Sequence, residues 1–280
     1  MKVRVLLDLL KIELSKIEPP EYANWEALLI ISHFLNLPPL KVYLYKEEFL
    51  ERDLVEKIWS VLEGRKTGKP LPYLLGIVYF FGRPFYIEEG VLIPRAETEI
   101  LISSFLEFNI REGPILELGT GSGVIGITLL LENPRLKILG VEISSKAIKL
   151  TQRNAQFHKV EKRLFLIKGD WFSPLKEGEL FSAIISNPPY LSEKEWETLD
   201  LSVKNFEPKE ALVAGKEGTE YQEELLRKAP LFLKKDGFLF FEMGYNQDQR
   251  IEFLLKKYRW NFKFYQDLRG YQRVVVAWKT

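Results

Sequence analysis

The sequence predicts an α/β protein in which a small all-helical region and a β-hairpin linker lead into a doubly wound sheet. Three observations carry that prediction. Apolar residues recur at helical spacing in the first part, Thr67-Gly68-Lys69-Pro70 breaks the pattern, and from about residue 112 short apolar runs alternate with helical stretches. The division that follows is a helical region over 1–70, a hairpin linker with a leading helix over 71–111, and an α/β domain over 112–280.

In order, Leu6, Leu7, Leu9, Leu10 and Leu14 mark a first helix. Trp25, Leu28, Leu29, Ile31 and Phe34 mark a second, and Leu54, Ile58 and Leu62 a third. Tyr79 to Ile87, with Gly82 at its centre, reads as a hairpin. Ile115–Leu118 is a buried strand that runs into Gly119-Thr120-Gly121-Ser122-Gly123, and Val124–Leu131 follows as a helix. Ile138–Val141 is the next strand and ends in Glu142; Leu164–Ile167 is the third and ends in Gly169-Asp170-Trp171-Phe172. Phe181–Ser186 is an apolar strand that stops at Asn187-Pro188-Pro189-Tyr190. Gly237–Glu242 and Arg273–Trp278 complete the alternation that a doubly wound sheet requires.

Composition sets the outer bounds. A chain of 280 residues with 46% hydrophobic content is long enough for about two domains and a sizeable core. Zero cysteines exclude disulfides, thiolate metal sites and thiol nucleophiles, and His33 and His158 lie in ordinary helical contexts, so no metal is expected. No apolar run approaches the roughly 20 residues of a membrane span, and the N-terminus lacks a signal-peptide pattern, so a cytoplasmic protein without a membrane partner is expected. Lys+Arg 40 against Asp+Glu 39 leaves a net charge of +1, which does not favour stable nucleic-acid binding.

Asn187-Pro188-Pro189-Tyr190 offers what is needed to hold a planar NH2 group. The nitrogen of an amide or of a nucleobase amine has a delocalised lone pair and becomes a useful nucleophile only once its hydrogens are held. The Asn187 side-chain oxygen can take one N–H and the Pro188 backbone carbonyl the other. Consecutive prolines stiffen the loop that aims that carbonyl. Tyr190 would cover the flat group and exclude water. An ordinary turn is the structural alternative for these four residues.

The glycine loop between strand and helix suits a nucleotide-like cofactor, since its backbone can be approached closely and the helix N-terminus supplies free N–H groups. Gly121-x-Gly123-x-x-Gly126 also fits a dinucleotide fingerprint, and Glu142, nineteen residues beyond Gly123, could bind ribose hydroxyls in either case. Glu117, just before the glycines, suits the cationic methionine end of S-adenosylmethionine and would repel two phosphates. Asp170 could accept from an adenine amino group and Trp171 stack on its ring; a turn cap and a core side chain are their structural alternatives.

Glu117-Leu118-Gly119-Thr120-Gly121-Ser122-Gly123, Glu142, Asp170-Trp171 and Asn187-Pro188-Pro189-Tyr190, in this order, resemble a class I S-adenosylmethionine-dependent methyltransferase acting on nitrogen. The wider chain is similar to the bacterial peptide-chain release factor glutamine methyltransferases, the PrmC/HemK family. Pro70–Gly76, Gly90–Glu99 and Glu207–Leu212 leading to Gly215 extend the resemblance over nearly the whole chain. Two positions depart from it, Pro72 where the family usually has Gln and Ala96 where it has a second proline.

The resemblance implies a Rossmann-like domain and transfer of a methyl group to the glutamine side-chain nitrogen in the Gly-Gly-Gln loop of class I release factors, with S-adenosylhomocysteine as the other product. It implies that Gly119, Thr120, Gly121, Ser122 and Gly123 line the cofactor with Glu117, Glu142, Asp170, Trp171 and Asn187. Asn187, Pro188, Pro189 and Tyr190 would hold the glutamine amide, and the helical N-terminal domain would contact the release factor. Three other readings stand beside it. A nucleic-acid methyltransferase acting on an adenine or guanine amino group uses the same Asn-Pro-Pro-Tyr logic; a nicotinamide oxidoreductase explains the glycine loop and leaves Asn-Pro-Pro-Tyr idle; the intact set of site residues argues against a binding protein that holds a release factor or RNA with a vestigial pocket. Arg95 and Glu97 either shape a site entrance or form structural ion pairs.

Overall fold

The computed structural model describes residues 1–178 and 180–279. Its internal contacts divide these residues into two units, Met1–Ile77 with Leu201–Phe206, and Val78–Asp200 with Glu207–Thr280.

The first unit is helical: α1 (Val3–Leu14), α2 (Pro20–Leu35), α3 (Arg52–Lys66) and α4 (Leu71–Leu75). Along α1, Val3, Leu6, Leu7, Leu10 and Leu14 are all buried, the stripe that a 3.6-residue period lays along one face. On α2 the buried face is Ala23, Ala27, Leu28, Ile30 and Ile31, whereas Trp25 is 47% exposed and stands on the opposite side from the core expected of it. The small Ala23 and Ala27 let the helices approach, which is why they take the inward positions. Arg65 is buried in this unit; its guanidinium pairs with Glu18 and, at 2.9 Å, with Glu26, and it donates to the Lys69 carbonyl, so the desolvated charge has three partners. Among the described residues no single helix is long and apolar enough to cross a membrane.

The second unit begins with the hairpin β1 (Ile77–Phe80) and β2 (Arg83–Tyr86), followed by α5 (Glu99–Glu107). Its sheet is built from β3 (Pro114–Leu118), β4 (Lys137–Glu142), β5 (Leu164–Lys168) and β6 (Phe181–Ser186), with α6 (Val124–Glu132) after β3 and α7 (Ser145–Phe157) after β4. The short strands β7 (Leu191–Ser192) and β8 (Val213–Gly215) pair with each other; between them in sequence lie α8 (Glu193–Thr198) and α9 (Leu201–Phe206), the latter belonging to the first unit. α10 (Glu220–Lys228), β9 (Leu233–Glu242), α11 (Asp248–Lys257), β10 (Asn261–Gln266) and β11 (Gln272–Trp278) close the chain.

The seven-stranded order is β10-β11-β9-β6-β3-β4-β5. The five strands from β9 to β5 are parallel, and β11 and β10 add antiparallel pairs at one edge, so the sheet is mixed. Strand alternation sorts the core into two layers. Ile115, Ile185, Phe240 and Val276 point to the face covered by α5, α6 and α7. Leu116, Ile184, Phe241 and Val275 point to the face covered by α10 and α11. Both faces are covered, as near-continuous apolar strands demand.

From β3 the chain moves outward through β4 and β5, then returns to place β6 on the other side of β3. The carboxyl ends of β3 and β6 therefore border a topological switch point, where open α/β sheets bind ligands.

Candidate functional site

Four strand ends meet on this carboxyl edge. The glycine loop follows β3, Glu142 ends β4, Asp170 and Trp171 follow β5, and Asn187 follows β6. Register fixes their spacing: Leu118 is paired with Val141 on one side and with Ser186 on the other. The Ser186 hydroxyl adds a 2.8 Å bond to the Leu118 carbonyl, tying the last residue before Asn187 to the last residue before the glycines.

Within the loop, Gly123 has φ of +83° and opens α6; a Cβ there would lie 2.8 Å from Thr151 Cγ2, so both its backbone and its surroundings require glycine. At Gly119 and Gly121 a Cβ would meet nothing within 4 Å, so this part of the backbone faces open space a ligand can occupy. The loop is held from outside. Glu142 accepts from the Gly121 and Ser144 N–H groups at 2.8 Å each, and Thr151 donates to the Gly121 carbonyl at 2.9 Å. Asn154 donates to the Ser122 carbonyl at 2.8 Å and exchanges bonds with both the N–H and the carbonyl of Tyr86, joining the loop to the hairpin.

Glu117 lies behind this loop with no exposed surface. One carboxyl oxygen accepts from the Gly126 N–H at 3.3 Å, and the other is buried without a partner. Burial, reinforced by the neighbouring Glu142, pushes its pKa up to about 8, so the carboxyl keeps its proton near neutral pH. Thr120 Oγ1 is likewise buried and unpartnered. An open glycine cradle with an acidic residue at the end of the neighbouring strand fits the hydroxyl and amino groups of a nucleoside carrying a cationic chain.

Asp170 is exposed, and Trp171, in the left-handed region at φ +48°, stacks on Tyr221 with ring centroids 4.7 Å apart. One face of the indole is thus already covered by a ring. Sequence reasoning did not single out Tyr221.

At the end of β6 the peptide bonds to Pro188 and Pro189 are trans. Asn187 donates from Nδ2 to the Thr98 hydroxyl at 3.1 Å, and Thr98 donates to Glu242 Oε2 at 2.7 Å. This leaves Asn187 Oδ1 as the end of the amide that can accept. Among the described residues the Pro188 carbonyl receives no backbone hydrogen bond. The Tyr190 carbonyl accepts from Gln247 Nε2 at 2.7 Å, and the Tyr190 N–H bonds to the Leu212 carbonyl, so the segment is braced from both sides.

Glu242 ends β9, beside β6, and is fully buried with its second oxygen unpartnered. Burial pushes its carboxyl up to about 7, against the lowering pull of Thr98, Tyr190 and Arg273. Burial and the Glu242 charge together push the Tyr190 phenol well above its ordinary range, against opposing pulls from Arg273 and Arg95, so Tyr190 stays protonated and serves as a ring and a donor. Arg95 pairs with the buried Glu207 at 2.6 Å, Glu207 also accepts from the Ile93 N–H, and Glu97 lies 3.8 Å from Arg273. Both residues thus form ion pairs, on the segment that delivers Thr98.

Thr98, Glu242, Thr151 and Asn154 escaped the sequence reading. Glu242 carried a signal, since an acid ends an apolar strand there as Glu142 does, whereas Thr98 is visible only once helix and sheet are brought together.

Two family models match the chain, the PrmC N-terminal domain over residues 6–76 and the methyltransferase small domain over residues 96–206. A solved methyltransferase from Pyrococcus furiosus shares the fold, with a TM-score of 0.52 at 20% identity over 71% of this chain and 89% of that one. The release factor glutamine methyltransferase of Fusobacterium nucleatum is 39% identical, covering 85% of this chain and 68% of its own. That of Aquifex aeolicus is 38% identical over 95% of this chain and 94% of its own. Identity of this order over most of the chain, together with the match of its helical region to the PrmC N-terminal domain, places the chain in the release factor glutamine methyltransferase family.

Proposed function

We propose that this protein transfers a methyl group from S-adenosylmethionine to the side-chain amide nitrogen of a glutamine in class I peptide chain release factors, in the cytoplasm, leaving S-adenosylhomocysteine. The observation that carries the reading is the state of Asn187. Its amide nitrogen is already engaged by Thr98, and its oxygen is left to accept beside the Pro188 carbonyl, one strand from the glycine loop.

Bound S-adenosylmethionine supplies an electrophilic methyl group on a positively charged sulfur. Gly119, Thr120, Gly121, Ser122 and Gly123 would line its chain, Glu142 its ribose, and Asp170 with Trp171 its adenine. Glu117 acts from beneath, where a cation placed over the loop favours the ionised form of its otherwise protonated carboxyl.

Asn187 Oδ1 and the Pro188 carbonyl accept the two hydrogens of the substrate amide and fix the orientation of its nitrogen. Pro189 stiffens the segment, and Tyr190 covers the flat group and keeps water out. Holding donor and acceptor in a reactive geometry lowers a barrier by on the order of 7–11 kcal/mol, so no strong base is needed before transfer. The helical unit serves as the recognition surface for the release factor.

Asn187→Ala tests this reading. Its kcat on a class I release factor falls by ~10²–10³, the loss expected for one preorganised polar contact, while cofactor affinity changes little. A variant with normal turnover would rule out the assigned role.

A further inference from the structure

We propose that Thr98 and Glu242 are positioning residues that fix which end of the Asn187 amide faces the substrate. The inference rests on the functional reading above and extends it to residues that touch neither substrate nor cofactor.

The argument is one of proton counting. Glu242 Oε2 accepts from the Thr98 hydroxyl, and a proton carried by this carboxyl resides on the other, unpartnered oxygen, so towards Thr98 Glu242 acts as an acceptor in either state. The single hydroxyl proton of Thr98 is therefore committed to Glu242 Oε2 at 2.7 Å, and Thr98 has only lone pairs left for its other neighbour. Asn187 must meet those lone pairs with N–H, as it does from Nδ2 at 3.1 Å. The Asn187 oxygen is then turned to the opposite end, the only arrangement in which it can accept from a substrate NH2. Flipped, Asn187 would set its own NH2 against that of the substrate, donor against donor.

Placement supports the relay. Ser186 and Phe241 are paired across β6 and β9, so Asn187 and Glu242 are the next residues on neighbouring strands. Thr98 and Glu242 are buried at 2% and 0% exposure, which removes water as a competing partner for either group. The Tyr190 hydroxyl faces the same carboxyl, so one buried acid orders both the acceptor and the covering ring.

Three variants test the relay. Thr98→Val keeps the branched shape and loses the hydroxyl, Thr98→Ser restores the hydroxyl, and Glu242→Gln lets the carboxyl position donate as well as accept. Expected are a ~10–100-fold fall in kcat for Thr98→Val and Glu242→Gln, the range for loss of an orienting outer partner, with cofactor affinity unchanged and recovery in Thr98→Ser. The double variant Thr98→Val with Glu242→Gln loses no more than the worse single one, because the two act in one chain. Side-chain amide hydrogen exchange at Asn187 gives a readout that needs no substrate: protection is lost in Thr98→Val and Glu242→Gln and kept in Thr98→Ser. Unchanged exchange and turnover in folded Thr98→Val, or equal losses in Thr98→Ser, would overturn the relay. Absence of wild-type transfer to a release factor would count against the functional reading alone, with the exchange result still deciding the relay.

Discussion

Glu117 illustrates how far one side chain ties stability to acidity. Its pKa rises from 4.5 in the open chain to about 8 in the fold, chiefly through burial. The native state therefore holds a proton that the unfolded state has released across that interval. Stability from this group is complete below about pH 4.5 and is lost as pH rises through about 8. Glu242, pushed up to about 7, acts with the same sign over a narrower window. Glu117→Gln keeps an oxygen for the Gly126 N–H and cannot titrate. Thermal melts without cofactor should show wild-type stability dropping between about pH 5 and pH 8, with a clearly smaller drop in Glu117→Gln. Parallel curves would show that Glu117 is ionised throughout.

At the level of elements, the strand–loop–helix from β3 to α6 depends on Gly123 in two ways. Its φ of +83° disfavours any side chain, and the nearest atoms, Thr151 Cγ2 and Ile127 Cδ1, lie within 2.9 Å of a would-be Cβ. Gly119 shares only the first constraint, with φ of +73° and open space around it. Gly123→Ala should therefore destabilise the protein by more than Gly119→Ala, roughly 1–3 kcal/mol for backbone strain alone plus the packing clash. Chemical denaturation of the two variants checks the order, and equal losses would contradict it.

The elements legible in the sequence share one property: their signal is local. The strands around Ile115–Leu118, Ile138–Val141, Leu164–Ile167, Phe181–Ser186, Gly237–Glu242 and Arg273–Trp278 are all present, because each is an apolar run bounded by a turn or an acid. β10 went unread, since Asn261-Phe262-Lys263-Phe264-Tyr265-Gln266 mixes polar and aromatic residues at a sheet edge. The outward Trp25 shows the converse, an apolar residue taken for core because periodicity cannot see the two alanines that claim the inner face. Asn187 and the glycine loop were readable as motifs. Thr98 and Glu242 were not, because their role exists only where residues 89 and 55 positions from Asn187 meet it across the sheet edge.

Across the whole molecule, charge is nearly balanced, with 40 basic and 39 acidic residues, which gives little general attraction for a polyanion. Selection among planar NH2 groups must then come from something other than overall charge. The measurement that bears on this most directly is transfer of labelled methyl from S-adenosylmethionine to three acceptors side by side: an intact class I release factor, the same factor with its Gly-Gly-Gln glutamine changed to alanine, and a structured RNA. Label on the intact factor alone is the predicted result. Label that survives the glutamine change, or that appears on the RNA and not on the factor, would contradict the account.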